Sequence, residues 1–166
     1  MIILGIDPGY ALLGYGAIEC TRTGEAKALD YGVIETSAGV PFPERLERLY
    51  LGVRQLIELY KPNQIAFEEL FFARNTATAL LVGAARGVAV LAAQQSDRPL
   101  YEYTPMQIKS AVTGNGHADK SQVQEMIRIL LRLKAKPRPD DAADALAVAL
   151  CHANTLGPAT EEFQIK

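Results

Sequence analysis

Acidic residues stand at three places in this chain where the surrounding sequence is apolar. Asp7 ends the run at residues 1–6, which lacks polar alternation and therefore predicts a central strand covered on both faces. An ionised carboxylate there is costly unless a partner or a metal compensates its charge. The alternative is that Asp7 only starts the turn at Pro8-Gly9, a role that suits aspartate.

Glu68 repeats this pattern at the end of a second apolar run, residues 65–67. Open α/β sheets place ligand sites at the carboxyl ends of their strands. If both runs are central strands, Asp7 and Glu68 come together at that edge. The alternative is that Glu68 and its neighbour Glu69 form an ordinary solvated strand end.

A third group of acids, Asp140, Asp141 and Asp144, opens an alanine-rich segment after Pro139. Acids are common at a helix N-terminus because they favour its free N–H groups and the positive end of its dipole. Asp144 lies one turn further in, among aliphatic residues. It shares a helix face with Asp141 at i, i+3 and with Asp140 at i, i+4, so spacing leaves its partner open.

Several carboxylates on one buried patch repel one another, and hard divalent cations with oxygen ligands are the usual compensation. Mg²⁺ or Mn²⁺ is the natural choice. Two such ions about 4 Å apart can activate a water, bind a scissile phosphate and stabilise the leaving oxygen. The acids therefore predict metal-dependent phosphodiester hydrolysis without a covalent nucleophile.

Apolar periodicity and turn signals predict the elements that position these acids. The first third of the chain predicts three antiparallel strands, and the remainder alternates strands with helices. The order implies an α/β fold with one mixed sheet flanked by helices, in a single domain at residues 1–154 with a loose tail at 155–166. The strands are predicted at residues 2–6, 13–18, 28–35, 64–67 and 100–103, and the helices at 44–60, 75–95, 119–133 and 140–154.

The composition limits the classes of function. The chain has 166 residues, of which 49% are hydrophobic, enough for one core without disulfides. Cys20 and Cys151 match no disulfide or zinc pattern and are expected to be reduced thiols in a cytosol. Residues 77–93 approach membrane hydrophobicity but contain Arg86, so a core or interface helix is expected. The net charge of −2 means that any DNA contact depends on local charge.

The three acidic motifs together resemble those of the RuvC family, the bacterial Holliday junction resolvases of the RNase H-like superfamily. The resemblance covers nearly the whole chain in order, through Arg74-Asn75 and residues 85–89, 107–109, 114–117 and 120–124. The matching motifs are Gly5-Ile6-Asp7-Pro8-Gly9, Phe67-Glu68-Glu69-Leu70-Phe71 and Asp141-Ala142-Ala143-Asp144-Ala145-Leu146-Ala147.

This resemblance implies a mixed five-stranded RNase H-like sheet, with three antiparallel strands followed by two parallel ones. It implies that Asp7, Glu68, Asp141 and Asp144 are the catalytic metal ligands, which selects Asp141 over Asp140 and Glu68 over its neighbour. Some family members carry His where this chain has Asp141, so that position can also handle a proton.

The resemblance also implies an activity and partners. It points to a homodimer in the bacterial cytoplasm that binds a four-way DNA junction and makes symmetric nicks in recombination and repair, with Mg²⁺ or Mn²⁺, two ions per site. RuvA and RuvB would be its branch-migration partners, and no membrane is involved. The apolar helix containing Gly83 and Gly87 would form the dimer interface, although such a helix is usually buried core.

Four residues shortly after Glu68 are candidates for contacting DNA. Phe71 and Phe72 could stack on bases or wedge between them at an opened junction, or could both be core residues. Phe71 matches the junction-contacting aromatic of the family. Arg74 and Asn75 follow, within reach of phosphates or base edges.

Lys109 and Lys120 flank a glycine loop at residues 114–116 and match two basic residues around the active site of the family. They would bind phosphates. A single lysine on an amphipathic helix is more often only solvated, so this assignment depends on the resemblance. His117 and His152 are expected to have structural roles only.

Two other functions match parts of the pattern. A G-I-D-x-G strand also opens actin-like ATPases and sugar kinases, with residues 5–16 as the phosphate loop, but that fold needs a second domain to enclose the nucleotide. An inactive RNase H-like junction-binding protein is the other alternative. Retention of all four acids argues against it, because a pure binder gains nothing from clustered negative charge facing DNA.

Overall fold

The computed structural model describes residues 1–21, 24–70, 76–157 and 160–165, with only the backbone at 76 and 77. Its strands form one sheet and its helices cover both faces. The strands are β1 (Ile2–Asp7), β2 (Leu12–Cys20), β3 (Ala26–Glu35), β4 (Gln64–Glu68) and β5 (Leu100–Tyr103). The helices are α1 (Phe42–Tyr60), α2 (Thr76–Gln94), α3 (Pro105–Thr113), α4 (Lys120–Leu130) and α5 (Asp140–Thr155), followed by a 3-10 turn at Thr160–Phe163.

The strand order is β3-β2-β1-β4-β5. β1 pairs antiparallel with β2 and parallel with β4, β2 pairs antiparallel with β3, and β4 pairs parallel with β5. This confirms the predicted mixed five-stranded α/β sheet. β1 lies at the centre with Ile3, Leu4 and Ile6 fully buried, as expected for an apolar run without polar alternation.

Alternate residues of β1 enter two different cores. Ile3 packs with apolar residues of α3, α4 and α5 on one face of the sheet. Leu4 and Ile6 pack with α1 and α2 on the other face. The sheet is therefore the middle layer of the fold, and α5 is the helix that lies directly on β1 and β2.

Glycines in β1 and β2 allow α5 to approach the sheet closely. A Cβ atom at Gly5 would lie 2.2 Å from the carbonyl oxygen of Ala145, and one at Gly14 would lie 2.1 Å from that of Asp141. Neither distance is possible for real atoms, so only glycine fits at these positions. This contact sets the N-terminal half of α5 above the end of β1.

The structure differs from the sequence-based prediction at α3, which was not predicted. Thr104 caps this helix: its hydroxyl accepts a hydrogen bond from the backbone N–H of Gln107, and the Gln107 side chain accepts one from the backbone N–H of Thr104. The Thr-x-x-Gln pattern with Pro105 at the first helical position was the available signal. α4 also ends three residues before the predicted helix.

Residues 160–165 differ from the loose tail that was expected. The backbone N–H of Ile165 donates to the carbonyl oxygen of Leu100 at 2.9 Å, and Gln164 bridges to Tyr101. The Phe163 ring lies 5.0 Å from that of Tyr103. The apolar side chains explain the difference, because Phe163 covers part of the core beside β5.

Cys20 and Cys151 are both free and buried. Within the described ranges, no helix is long and apolar enough to cross a lipid bilayer. His152 is fully buried, where its Nδ1 pairs with the Tyr103 hydroxyl at 2.7 Å and its Nε2 with Gln64 Oε1 at 2.8 Å.

Candidate active site

Asp7 and Glu68 meet at one edge of the sheet because they end neighbouring parallel strands. Ile6 is in register with Phe67, and each is followed by one of the two acids. The Asp7 and Glu68 side chains lie within hydrogen-bonding reach of each other. The prediction that the two strand ends bring these carboxyl groups together is confirmed.

Asp141 and Asp144 reach the same edge from α5. Asp7 is the register partner of Gly14, the glycine that the Asp141 backbone contacts. Asp144 is half-buried one turn further along the helix. Thus α5 adds its carboxylates to the pair at the strand ends.

The electrostatics of the four acids show that they act on one another. Burial raises the pKa of Asp7 well above its ordinary value, and the charges of Glu68, Asp144 and Asp141 raise it further. Burial, followed by the charge of Asp144, raises the pKa of Glu68 from 4.5 to about 7. Burial also raises the pKa of Asp144, against the opposing effect of a nearby lysine. The site therefore disfavours several simultaneous negative charges in the absence of a cation.

Two lysines lie on the wall opposite the acids. The Nζ of Lys120 lies 3.0 Å from Asp144 Oδ2 and 3.5 Å from Asp140 Oδ2. Burial alone would lower the pKa of Lys120, but these two carboxylates outweigh it and raise the pKa. Lys109 also faces the site, because its positive charge opposes the upward shift in the pKa of Glu68.

Two of the acids, Glu68 and Asp144, share one cavity of about 250 Å³ with the two lysines. α3 and α4 form its lysine-bearing wall, whereas β4 and α5 form its acidic wall. The residues that line it are Glu68, Pro105, Ile108, Lys109, Lys120, Val123, Asp144 and Ala147. A phosphate that enters this cavity would meet both positive side chains and the carboxylates.

The donor set suits a hard divalent cation, because it consists of mutually repelling carboxylates on a largely buried patch. Among the described residues, no three acidic, histidine or cysteine side chains already converge closely enough to enclose an ion. Asp144 instead pairs with Lys120, and Asp7 lies beside Glu68. A cation would have to draw these carboxylates together.

Four of the predicted DNA-contacting residues fall in a segment that the structure does not describe, and one residue beside the site was not predicted. Phe71, Phe72, Arg74 and Asn75 lie outside the described residues, so their DNA contacts stay predictions. Sequence reasoning missed Gln124, whose side-chain amide donates to Asp140 Oδ1 at 2.9 Å.

Gln124 stands four residues after Lys120 on α4, which would have placed the two on one helix face. Nothing in the sequence showed that Asp140 would be their partner.

Comparisons with known proteins agree on one family. The family model described as "Crossover junction endodeoxyribonuclease RuvC" matches residues 3–152. The RuvC crossover junction endodeoxyribonuclease of Alkaliphilus metalliredigens is 54% identical over 166 residues, covering all of both chains. That of Alkaliphilus oremlandii is 55% identical over 166 residues, again covering all of both chains.

Among solved structures, T. thermophilus RuvC in complex with a Holliday junction substrate superposes with a TM-score of 0.91. It is 39% identical and the match covers 99% of each chain. These matches give no support to the actin-like ATPase alternative. Members of this family are metal-dependent nucleases. The chain belongs to the RuvC family of crossover junction endodeoxyribonucleases and is an endonuclease of crossover junctions in DNA.

Proposed function

We propose that this chain resolves four-way DNA junctions by hydrolysis at two divalent ions held by Asp7, Glu68, Asp141 and Asp144. The observation that carries the proposal is the approach of these four acids, from three distant segments, to one edge of the sheet, where burial and neighbouring negative charge raise the pKa values of Asp7, Glu68 and Asp144. The complex of the T. thermophilus relative with a Holliday junction supports the substrate. Mg²⁺ and Mn²⁺ both suit an all-carboxylate set.

When bound, the ions supply an activated water and stabilise charge on the phosphate. The residues of the chain hold and orient the reactants. The carboxylates of Asp7 and Glu68 bind from the strand ends and those of Asp141 and Asp144 from α5. Lys109 and Lys120 bind phosphate oxygens across the cavity and neutralise the backbone charge of the DNA. Phe71, Phe72, Arg74 and Asn75 contact the junction.

A homodimer is the second part of the proposal, and the surface of α2 supports it. The helix buries Ala85 and Ala89 against the rest of the fold, whereas Leu80 is 77% exposed and Leu91 is 52% exposed. Apart from its chain neighbours and the nearby backbone of α2, a Cβ atom at Gly87 would meet no atom of the described residues within 4 Å. An apolar face with a glycine at its centre suits close packing against a second copy.

A two-fold dimer would place two active sites on strands of like polarity, which leads to symmetric nicks. The same family relationship leads us to propose RuvA and RuvB as partners and the bacterial cytoplasm as the location.

The function is tested with a synthetic four-way junction that carries a label on each strand in turn, incubated with and without Mg²⁺ or Mn²⁺. We expect the wild-type protein to nick two opposite strands at matching positions only when metal is present. Asp7→Asn and Glu68→Gln should bind the junction without cutting it. Glu69→Gln is the matched control, because the side chain of Glu69 is exposed beside Glu68, and it should cut normally.

The test also separates the alternatives. An inactive junction-binding protein would leave the junction intact under every metal. Cutting by Asp7→Asn or Glu68→Gln would show that these carboxylates are not the metal ligands. A linear duplex of the same sequence should stay uncut.

A further inference from the structure

Asp140 lies beside the four acids but is held by different residues. Its Oδ1 accepts hydrogen bonds from Gln124 Nε2 at 2.9 Å and from Arg138 Nη1 at 2.7 Å. Its Oδ2 lies 3.5 Å from the Nζ of Lys120. One oxygen is therefore fixed by two donors, and the other is presented to the lysine.

The amide that fixes Asp140 is itself well anchored. Gln124 is only 5% exposed, and it lies one turn after Lys120 on α4. Such a buried amide group needs a hydrogen-bond partner, which Asp140 provides. The Asp140 carboxylate consequently has a defined position relative to the helix that carries Lys120.

Lys120 pairs with two carboxylates, of which only one is a proposed metal ligand. Asp144, at 3.0 Å, is one of the acids assigned to the metal, whereas Asp140 is outside that set. A divalent ion on Asp144 would compete with the ammonium group for the same oxygens and would repel it. The Lys120 side chain is 53% exposed, so without another anchor it would gain rotamer freedom by moving into solvent.

We propose that Asp140 is a positioning residue that keeps Lys120 at the cavity wall when Asp144 turns to a divalent ion, so that the ammonium group remains available to the DNA phosphate. This inference rests on the proposed function, because it takes Asp144 as a metal ligand and a phosphate backbone as the substrate. Asp140 itself contacts neither the metal nor the DNA.

The direction in which Asp140→Asn changes the affinity for the junction distinguishes this role from simple electrostatic repulsion. Removal of an acid near DNA ordinarily strengthens binding, because it lowers repulsion of the phosphates. Asp140→Asn should instead weaken binding of a four-way junction, by about threefold to tenfold, because Lys120 loses its anchor. The dependence of log K on log salt concentration should become shallower by about one unit.

The experiment is a double-mutant cycle on junction binding in Ca²⁺, measured by fluorescence anisotropy over a range of salt concentrations. The proteins are wild type, Asp140→Asn, Lys120→Met and the double variant. We expect Asp140→Asn to weaken binding only when Lys120 is present, and all three variants to share the shallower salt dependence. Asp140→Glu, which keeps the charge, should restore most of the wild-type slope.

Glu125→Gln is the control for loss of a half-buried acid of α4 that pairs with Arg128 and Lys136, and it should not weaken binding. Thermal unfolding of each variant checks the fold, because Asp140 also lies at the start of α5. An equal loss in the Lys120→Met background would mean a structural role, and tighter binding by Asp140→Asn would mean simple repulsion. Either result would overturn the inference. The proposed function fails separately, if the wild-type protein does not cut the junction with metal.

Discussion

Gly14 contacts the backbone of Asp141 so closely that a Cβ atom on the glycine would lie 2.1 Å from the aspartate carbonyl oxygen. Gly14 is also the register partner of Asp7 across β1 and β2. One glycine therefore connects the strand that carries the first acid to the helix that carries the last two. This contact sets the position of the Asp141 backbone relative to the strand that carries Asp7.

Gly14→Ala should damage activity more than folding. The added methyl group must push α5 away from the sheet, at a cost of about 1–3 kcal/mol for overpacking. A displacement of Asp141 and Asp144 by about 1 Å would lower the rate of junction cutting by roughly 100-fold. Thermal unfolding and single-turnover cutting measure the two effects. Gly39→Ala is the control, since a Cβ atom there meets nothing within 4 Å. Unimpaired cutting by Gly14→Ala would contradict the prediction.

The metal-free protein should lose stability as the pH rises from about 4.5 to about 7. In this window Glu68 is already deprotonated in the unfolded chain but stays protonated in the folded protein, because its folded pKa is raised to about 7. The folded state then binds more protons, so a higher pH favours unfolding. Glu68→Gln should flatten this part of the profile and be more stable than wild type at pH 8. Thermal unfolding in EDTA measures the stability of both proteins across this pH range. An equal loss of stability in wild type and Glu68→Gln would refute the prediction.

Metal binding should strengthen with pH and release protons. The cation needs deprotonated ligands, and Asp7, Glu68 and Asp144 all have raised pKa values. The rise in melting temperature with Mg²⁺ should be larger at pH 8 than at pH 6. Calorimetric titration in two buffers of different ionisation enthalpy measures the proton release. Glu69→Gln should behave as wild type, and binding that does not change with pH would argue against these ligands.

A charge on the exposed face of α2 should disrupt the proposed dimer. Leu80→Asp places a carboxylate at a residue that is 77% exposed in the single chain and would be buried against a second copy. Sedimentation should show a monomer, and cutting of the two strands should lose its coordination. Leu59→Asp is the matched control, because Leu59 is also well exposed, at 69%, but lies on α1. If Leu80→Asp still sediments as a dimer, α2 is not part of the interface.

The sequence predicted the parts of the structure that depend on local pattern. The apolar runs that end at Asp7 and Glu68 became neighbouring central strands, because such runs need cover on both faces. α3 was missed because its nine residues are too few for a clear apolar period, and its start was encoded only in the Thr104 and Gln107 capping pair.

The partners of Asp140 were beyond prediction for a different reason. Helical spacing places Asp140 and Asp144 on one face, but it does not say which tertiary neighbour each carboxylate meets. Gln124 and Lys120 come from another helix, and only the packing of α4 against α5 sets them beside Asp140. Side-chain contacts between distant segments require the fold.

The position of α5 on the sheet has a consequence for synthesis of the protein. The ribosome makes Asp7 and Glu68 long before Asp141 and Asp144, and the two groups meet only after α5 docks on β1 and β2 through Gly5 and Gly14. Until then the nascent chain has no complete set of carboxylates. With the four acids as the proposed catalytic set, the emerging polypeptide could not cut DNA before α5 docks on the sheet.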